Sequence, residues 1–206
     1  MKNGMVKIGM FLLLVMALGC SKEDLNTQTQ TQTTLLIQVT DESGIPVQDA
    51  QVKLYGSEND MNNNTNALLT TQTTNSQGEV RFSPLSPFIT YYWYANKGCS
   101  TNVFSINKNM IYLTSNTVNA FPTTLKPTGT LTFQNTSSNP YNVYVNNYLM
   151  VQNMSGGGTV KSFPTTPGNY TIRVEQQSGY ALYPTIITFP IQELICGNEL
   201  TSTFPY

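Results

Sequence analysis

From Thr34 onward, apolar and polar residues alternate in short blocks, and clusters of Gly, Pro, Asn and Ser separate the blocks. Successive side chains of a strand point to opposite faces, so this period of two predicts strands that each bury one face. No window combines a sustained 3.6-residue period with capping residues. Many short strands at this spacing predict an all-β fold of the sandwich type, in which the polar stretch Asn59–Asn66 is a loop. We expect strands near residues 34–40, 47–55, 67–74, 78–83, 89–96, 101–106, 117–125, 130–135, 141–146, 158–163, 169–176, 184–189 and 199–204.

The run Lys126-Pro127-Thr128-Gly129 separates two such blocks. We therefore predict two tandem β-sandwich modules, at residues 34–126 and 127–206. In the second block, Asn146-Asn147 predicts a tight hairpin turn, because asparagine tolerates a positive φ.

The first nineteen residues are typical of a secretion signal and are excluded from the fold. Lys2 and Lys7 precede an apolar run over Ile8–Leu18, which is shorter than the roughly 20 residues of a spanning helix. The run ends in Ala17-Leu18-Gly19-Cys20, which resembles the lipobox of bacterial lipoproteins. The resemblance implies cleavage before Cys20 and its acylation, for instance with palmitate. The alternative is an ordinary secreted protein with a chance cysteine at this position.

The residues after Cys20 are charged and then polar. Ser21-Lys22-Glu23-Asp24 is similar to the lysine-plus-acidic export signal of Bacteroidetes surface lipoproteins, which implies a protein that faces the cell exterior. The alternative is a solvated charged tether. The Thr/Gln run that follows has too few apolar side chains to fold alone, so residues 20–33 are predicted to be a lipidated cysteine with a flexible tether.

Composition excludes several kinds of function. Charged residues make up 10% of the chain and the net charge is −1, so no basic stripe is available for nucleic acid. Histidine is absent, and the three cysteines form no CxxC pair, so no cofactor or metal is expected. The close acidic pairs, Asp41-Glu42 and Glu58-x-Asp60, lie in predicted turns; we interpret them as solvated, with a loosely bound Ca²⁺ as the alternative. No catalytic residue is predicted.

The first block resembles a known module. Its ordered residues are Val39-x-Asp41-x-x-Gly44-x-Pro46-Val47-x-x-Ala50-x-Val52-x-Leu54, then Asn75-x-x-Gly78-x-Val80-x-Phe82 and Tyr91–Tyr94. This order is similar to the carboxypeptidase-regulatory-like, or transthyretin-like, module, an Ig-type sandwich. The resemblance implies packing positions and no peptidase residues.

The second block is similar to PEGA-type modules of surface lipoproteins. The resemblance rests on Gly129-Thr-Leu131-Thr-Phe133, Pro140-Tyr-x-Val143-Tyr-Val145 and Pro167-Gly-x-Tyr170-x-Ile-x-Val174. It implies a second small β-sandwich.

The aromatic run Tyr91-Tyr92-Trp93-Tyr94 is the most unusual local feature. On a strand, Tyr91 and Trp93 share one face. One hypothesis makes Tyr91 and Trp93 a ligand platform for sugar rings or a partner protein; the other has both faces of the strand covered.

Cys99 and Cys196 remain once Cys20 is acylated. An extracytoplasmic location permits a disulfide between the two modules, and two buried free thiols are the alternative.

Together these features predict a protein held in the outer membrane by its N-terminal lipid. Its role is predicted to be non-catalytic binding, adhesion or scaffolding. Two alternatives remain: capture of a polysaccharide by the aromatic strand, or service as a structural subunit that pairs with another surface protein in an outer-membrane assembly.

Overall fold

Strands form throughout the described residues, which are 32–104, 109–179 and 185–205 of a computed structural model. The all-β prediction is confirmed. The described part of the first block contains the following elements: β1 (Thr34–Thr40), β2 (Gln51–Tyr55), α1 (Glu58–Asn63), β3 (Gln72–Thr73), β4 (Glu79–Phe82), β5 (Thr90–Lys97), β6 (Ser100–Thr101), β7 (Met110–Tyr112), β8 (Val118–Thr124) and β9 (Lys126–Pro127).

These strands form two sheets, which we call the N-terminal sandwich. One sheet has the order β4-β1-β8, and the other has the order β3-β2-β5-β6-β9 with β7 also paired to β5. β1 is antiparallel to β4 and parallel to β8. The chain enters at the start of β1 and leaves after the end of β8, so these two points lie at opposite ends of the sheet. We name them the entry end and the junction end.

The second block forms the C-terminal sandwich. Its elements are β10 (Gly129–Asn135), β11 (Tyr141–Val145), β12 (Tyr148–Met154), β13 (Thr159–Thr165), β14 (Gly168–Tyr170), β15 (Ile172–Gln176), β16 (Ile186–Thr188), β17 (Gln192–Leu194) and β18 (Glu199–Phe204). The sheet orders are β13-β10-β18, β12-β11-β15-β16 and β14-β17. Here too the first strand, β10, is parallel to the last strand, β18.

The predicted hairpin turn between β11 and β12 is present. Asn146 and Asn147 have φ values of 48° and 67°, and Val145 pairs with Tyr148. Two positive φ values in succession match the twist of the flanking strands.

Each sandwich has its own hydrophobic core, because alternate residues of the facing sheets turn inward. In β1, for example, Leu35, Ile37 and Val39 are fully buried. The N-terminal core is made of residues from positions 35–125, and the C-terminal core of residues from positions 131–204.

The predicted loop at 59–66 is wrong over its first part, because α1 occupies Glu58–Asn63. Ser57 caps the helix by accepting a hydrogen bond from the backbone N–H of Asp60, and Asn64 ends it in the left-handed conformation. A helix of six residues is too short to display a 3.6-residue period. Sequence analysis also missed β7, β9 and β17, which are two or three residues each, and its strand list omitted β12, although the predicted hairpin turn implies a strand there.

The leader at 1–19, the acylation site Cys20 and the export residues Lys22, Glu23 and Asp24 lie outside the described residues. Within the described ranges, no helix is long and apolar enough to cross a membrane.

Candidate functional site

Strand β5 turns Tyr91 and Trp93 into the N-terminal core, where their exposed fractions are 3% and 0%. Trp93 packs edge-on against Phe121 with ring centroids 4.9 Å apart. Its Nε1 donates to Thr123 Oγ1 at 3.3 Å. A ligand cannot reach these rings, so the hypothesis that Tyr91 and Trp93 form a platform is wrong. The alternation predicted two faces correctly but did not reveal which face the second sheet covers.

The opposite face of β5 carries Tyr92 and Tyr94, both half-buried. A cleft of about 610 Å³ lies beside Tyr94, between Met61 of α1 and Met110 of β7. Burial raises the pKa of Tyr94. Tyr94 therefore remains a neutral phenol at physiological pH, and the cleft gains no charge from it.

Buried asparagine amides form the floor of this cleft. Asn102 accepts a hydrogen bond from the backbone N–H of Ala95 at 2.9 Å and donates to Trp93 O at 3.2 Å. Asn109 donates to Asn102 O at 2.8 Å. These amides are satisfied within the fold, as buried polar groups normally are, so they stabilise the end of β5.

An exposed apolar surface lies at the entry end of the N-terminal sandwich. We call Leu68, Phe88, Ile89 and Tyr112 the entry patch. Phe88 and Tyr112 are 62% and 60% exposed, and Leu68 and Ile89 are exposed as well. All four side chains line one open groove, in which the Phe88 and Tyr112 ring centroids are 6.4 Å apart.

The backbone of Phe88 has a φ of 65°, a conformation that bulky residues rarely adopt. Its N–H donates to Leu113 O at 3.0 Å, and the Leu113 N–H donates to Ile89 O at 3.3 Å. These two bonds hold the loop so that Phe88 and Ile89 face solvent. Strain of this kind persists only where surrounding structure imposes it, and it often marks a functional surface.

The chain enters the sandwich beside the entry patch. Thr33 O accepts a hydrogen bond from the Leu85 N–H at 3.0 Å, and Thr33 Oγ1 accepts one from the Asn116 N–H at 2.9 Å. Ser83 Oγ donates to Gln32 Oε1 at 3.2 Å. The first described residues are thus tied to loop 83–89, which contains Phe88, and to loop 113–117, to which Phe88 is hydrogen-bonded.

At the opposite end, a disulfide joins the two sandwiches. Cys99 follows β5, Cys196 precedes β18, and their Cα atoms are 5.6 Å apart. Thr128, between the sandwiches, donates its N–H to Cys99 O at 3.1 Å and accepts at its carbonyl from the Gly197 N–H at 2.8 Å. Of the two alternatives for these cysteines, the structure contains the bridge.

The carboxylates of the acidic pair Asp41-Glu42 make hydrogen bonds and an ion pair within or near their own turn. Asp41 Oδ1 accepts hydrogen bonds from the backbone N–H groups of Ser43 and Ile45, both at 2.9 Å. Glu42 lies 3.4 Å from Lys126 across the junction end. These contacts account for Asp41 and Glu42 without a bound cation.

Asp60 closes the first turn of α1. It accepts hydrogen bonds from Ser57 Oγ at 2.6 Å and Asn66 Nδ2 at 2.8 Å. The bond from Ser57, followed by that from Asn66, lowers the pKa of Asp60. Among the described residues, no group of three or more acidic, histidine or cysteine side chains is arranged to hold a metal ion.

Comparison with known proteins identifies no family. No family model matches the chain, and no curated protein matches it. Among solved structures, the chain is similar to a streptococcal ancillary pilin, with 14% identity, a TM-score of 0.38, and coverage of 86% of this chain and 63% of that one. It is also similar to the minor pilin GBS52 of Streptococcus agalactiae, with 16% identity, a TM-score of 0.33, and coverage of 84% and 94%.

A third similar structure is a leucine-rich repeat protein of Bacteroides thetaiotaomicron, with 13% identity, a TM-score of 0.37, and coverage of 85% of this chain and 26% of that one. The chain therefore spans 63% of the ancillary pilin and 26% of the leucine-rich repeat protein. Similarity at this level assigns neither a family nor a function.

Sequence analysis missed the entry patch. Its signal is the run Leu85-Ser-Pro87-Phe88-Ile89, in which two large apolar residues stand in a loop, between a proline and the start of a strand. Loops are usually polar and exposed, so apolar side chains there are informative.

Proposed function

We propose that this chain is a lipid-anchored protein of the outer membrane that faces the cell exterior and has a non-catalytic role in adhesion or scaffolding. The anchor is the acylated Cys20, and the export residues are Lys22, Glu23 and Asp24. The proposed role is to transmit tension between the membrane and a partner at the surface.

The observation that carries this role is the direction of β1 and β8. They are parallel neighbours over seven residue pairs, from Thr34 with Val118 to Thr40 with Thr124. A pull on the anchor draws β1 toward the entry end, while a pull from the second sandwich passes through Cys196 to Cys99 and holds the N-terminal sandwich at the junction end. β1 is then loaded along its length against β8, so the hydrogen bonds between the two strands must break together and not one after another. Ladders loaded in this way resist force far better than ladders that are peeled open.

The disulfide extends this resistance into the C-terminal sandwich. Cys196 lies just before β18, so tension applied at the far end of β18 passes directly to Cys99 in the N-terminal sandwich. The residues between the two cysteines form a closed loop that this tension does not extend. Were the bridge opened, β10 and β18 would still be loaded along their length, since they are parallel over six pairs.

The alternative of polysaccharide capture by the aromatic strand depended on Tyr91 and Trp93. Their burial removes the surface that it required. Polysaccharide capture is therefore not proposed for that strand.

The alternative of an assembly subunit is favoured by one feature of the C-terminal sandwich. β12 is an edge strand, and its first two residues, Tyr148 and Leu149, are exposed, Tyr148 by 80%. An exposed edge with large side chains offers backbone groups for pairing with another protein. Adhesion and assembly then differ only in the identity of the partner.

Protease accessibility on intact cells tests the location, with the wild-type chain compared with a variant in which Lys22, Glu23 and Asp24 are changed to alanine. We expect the wild type to be shaved and the variant to be protected, and mass spectrometry to find acyl chains on Cys20. A wild-type chain that resists shaving on cells but is cleaved after lysis faces the periplasm, which contradicts the proposal. An unmodified Cys20 would contradict the anchor.

A further inference from the structure

We infer that the entry patch docks on the lipid surface to which the chain is anchored. The inference rests on the proposed function, specifically on acylation of Cys20. Docking would press the entry end of the N-terminal sandwich against the bilayer and direct the C-terminal sandwich away from it.

The first reason for this inference is the position of the patch near the anchor. Gln32 and Thr33 are hydrogen-bonded to loop 83–89, which contains Phe88, and to loop 113–117, which directly follows Tyr112, so the path to the anchor starts beside the patch. Cys20 is twelve residues before Gln32. Fully extended, that length reaches at most about 40 Å. The patch is therefore confined within about 40 Å of the bilayer surface.

The second reason is the type of residue that the patch contains. Loops 83–90 and 112–118 contain no charged residue, and exposed Glu58, at the start of α1, is the one charged residue among the described ones that line the groove, so contact through the two loops buries no charge from either of them. Phenylalanine, isoleucine and leucine favour the acyl boundary, and tyrosine favours the headgroup level. Phe88, Ile89, Leu68 and Tyr112 supply these residue types on one groove.

The opposite end of the same sandwich has a different character. Asp41, Glu42, Lys97 and Lys126 lie at the junction end, where Glu42 pairs with Lys126 and Lys97 donates to Gln48 O at 2.6 Å. Four charged residues gather at the junction end, whereas Glu58 is the one charged residue, of those described, that lines the groove of the entry patch, and this contrast favours an orientation with the entry end toward lipid. The strained φ of Phe88 is consistent with this, because the backbone is held so that an apolar ring points outward.

The test uses the mature chain, which begins at Cys20 once the leader is removed. Cys99 and Cys196 are bridged, so Cys20 is the free thiol of the three cysteines. It can be coupled to a maleimide lipid in vesicles of phosphatidylethanolamine and phosphatidylglycerol whose acyl chains carry bromine, which quenches tryptophan on contact. Phe88→Trp is the reporter. Tyr148→Trp, on the edge of the C-terminal sandwich, is the matched control, and buried Trp93 is a constant background in both.

We expect quenching of Phe88→Trp to exceed that of Tyr148→Trp several-fold, with a blue shift of its emission. Tyr112→Trp is a second reporter should Phe88→Trp fail to fold. Equal quenching of reporter and control, or none in either, would overturn the inference and leave a second chain copy or a surface glycan as the occupant of the patch.

A variant with a longer tether distinguishes docking of the patch on lipid from proximity to lipid that the tether alone imposes. Doubling the segment between Cys20 and Gln32 with Gly and Ser leaves quenching nearly unchanged if the patch binds lipid, and reduces it strongly if only the tether holds the reporter near. The latter result would also overturn the inference. Because the lipid is attached chemically, this outcome is independent of whether cells acylate Cys20, so failure of the proposed function and failure of docking are distinguishable.

Discussion

Cys99 and Cys196 are 97 positions apart in the sequence, yet their Cα atoms lie 5.6 Å apart and their sulfurs are bonded. The bridge makes most of the C-terminal sandwich part of one covalent loop that is closed at the junction end. Thr128 hydrogen-bonds on one side to Cys99 and on the other to Gly197, so covalent and hydrogen-bonded contacts coincide there.

Removal of the bridge is expected to destabilise the protein. In the chain-entropy model, opening a loop of this length costs on the order of 4 kcal/mol, because the unfolded chain regains its freedom. The double variant Cys99→Ser, Cys196→Ser should show this loss in urea unfolding, compared with the wild type under oxidising conditions. Reduced wild type is the control and should unfold like the double variant. Unchanged unfolding free energy would show that the bridge constrains little.

The bridge should also limit how far the chain extends under force. With handles at residues 32 and 205 and the disulfide intact, only residues 32–99 and 196–205 can unravel, which releases about 270 Å at the extension of a stretched chain. Under reducing conditions the full length should unravel, releasing about 620 Å. Single-molecule force spectroscopy measures both lengths directly. Equal lengths with and without reductant would contradict the force path that we describe.

The direction of pulling should decide how much force unfolding takes. Handles at residues 32 and 205 load β1 along its length, whereas handles at residues 32 and 83 peel β1 from β4, because these residues lie at the same end of an antiparallel pair. We expect the first geometry to need several times the force of the second. Similar forces in both geometries would argue against a tension-transmitting role.

Trp93 should matter for stability and not for binding. Trp93→Ala leaves a cavity in the N-terminal core and removes one hydrogen bond to Thr123 Oγ1, so we expect a loss of about 3–5 kcal/mol. Tyr112→Ala, at an exposed position, should change the unfolding free energy by about 0.5 kcal/mol or less. Thermal or urea unfolding of the two variants checks this contrast. A Trp93→Ala variant as stable as the wild type would refute the core assignment.

Alanine substitutions at Gly78 and Gly98 distinguish the cost of steric crowding from the cost of backbone strain. Both have positive φ, 71° and 56°. A Cβ on Gly78 would collide with Val39 O, whereas a Cβ on Gly98 meets no atom within 4 Å. Gly98→Ala should therefore cost only the left-handed penalty of about 1–2 kcal/mol. Gly78→Ala should cost clearly more, and equal losses in urea unfolding would contradict this account.

Acid should loosen the first turn of α1. Asp60 has a pKa below its ordinary value of 3.8, chiefly because Ser57 donates a hydrogen bond to it. The folded state thus binds fewer protons than the unfolded state, so this stabilisation is present above the ordinary pKa and is lost as pH falls through the lowered one. NMR of the Asn64 and Thr65 amides follows the change. Asp60→Asn should abolish it and Glu58→Gln should preserve it; the reverse would refute the assignment.

Local pattern was sufficient for the fold class and for several elements. The alternation of Leu35, Ile37 and Val39 predicts β1 at its observed bounds, and Asn146-Asn147 predicts its turn, because both depend on the residues themselves and their immediate neighbours. Leu131 and Phe133 likewise mark β10. Short elements such as α1, which depends on Ser57 and Asn64 as caps, carry too few residues for a period to be recognised.

What the sequence determined by itself is therefore the all-β class, while the leader and the acylation of Cys20 stay predictions. Only the tertiary structure decided which face of β5 is buried, that Cys99 meets Cys196, and that Phe88 and Tyr112 share a groove with Leu68. The physical reason is that alternation assigns side chains to faces without naming the sheet that covers them. Contacts between residues distant in the chain exist only once both sandwiches have packed.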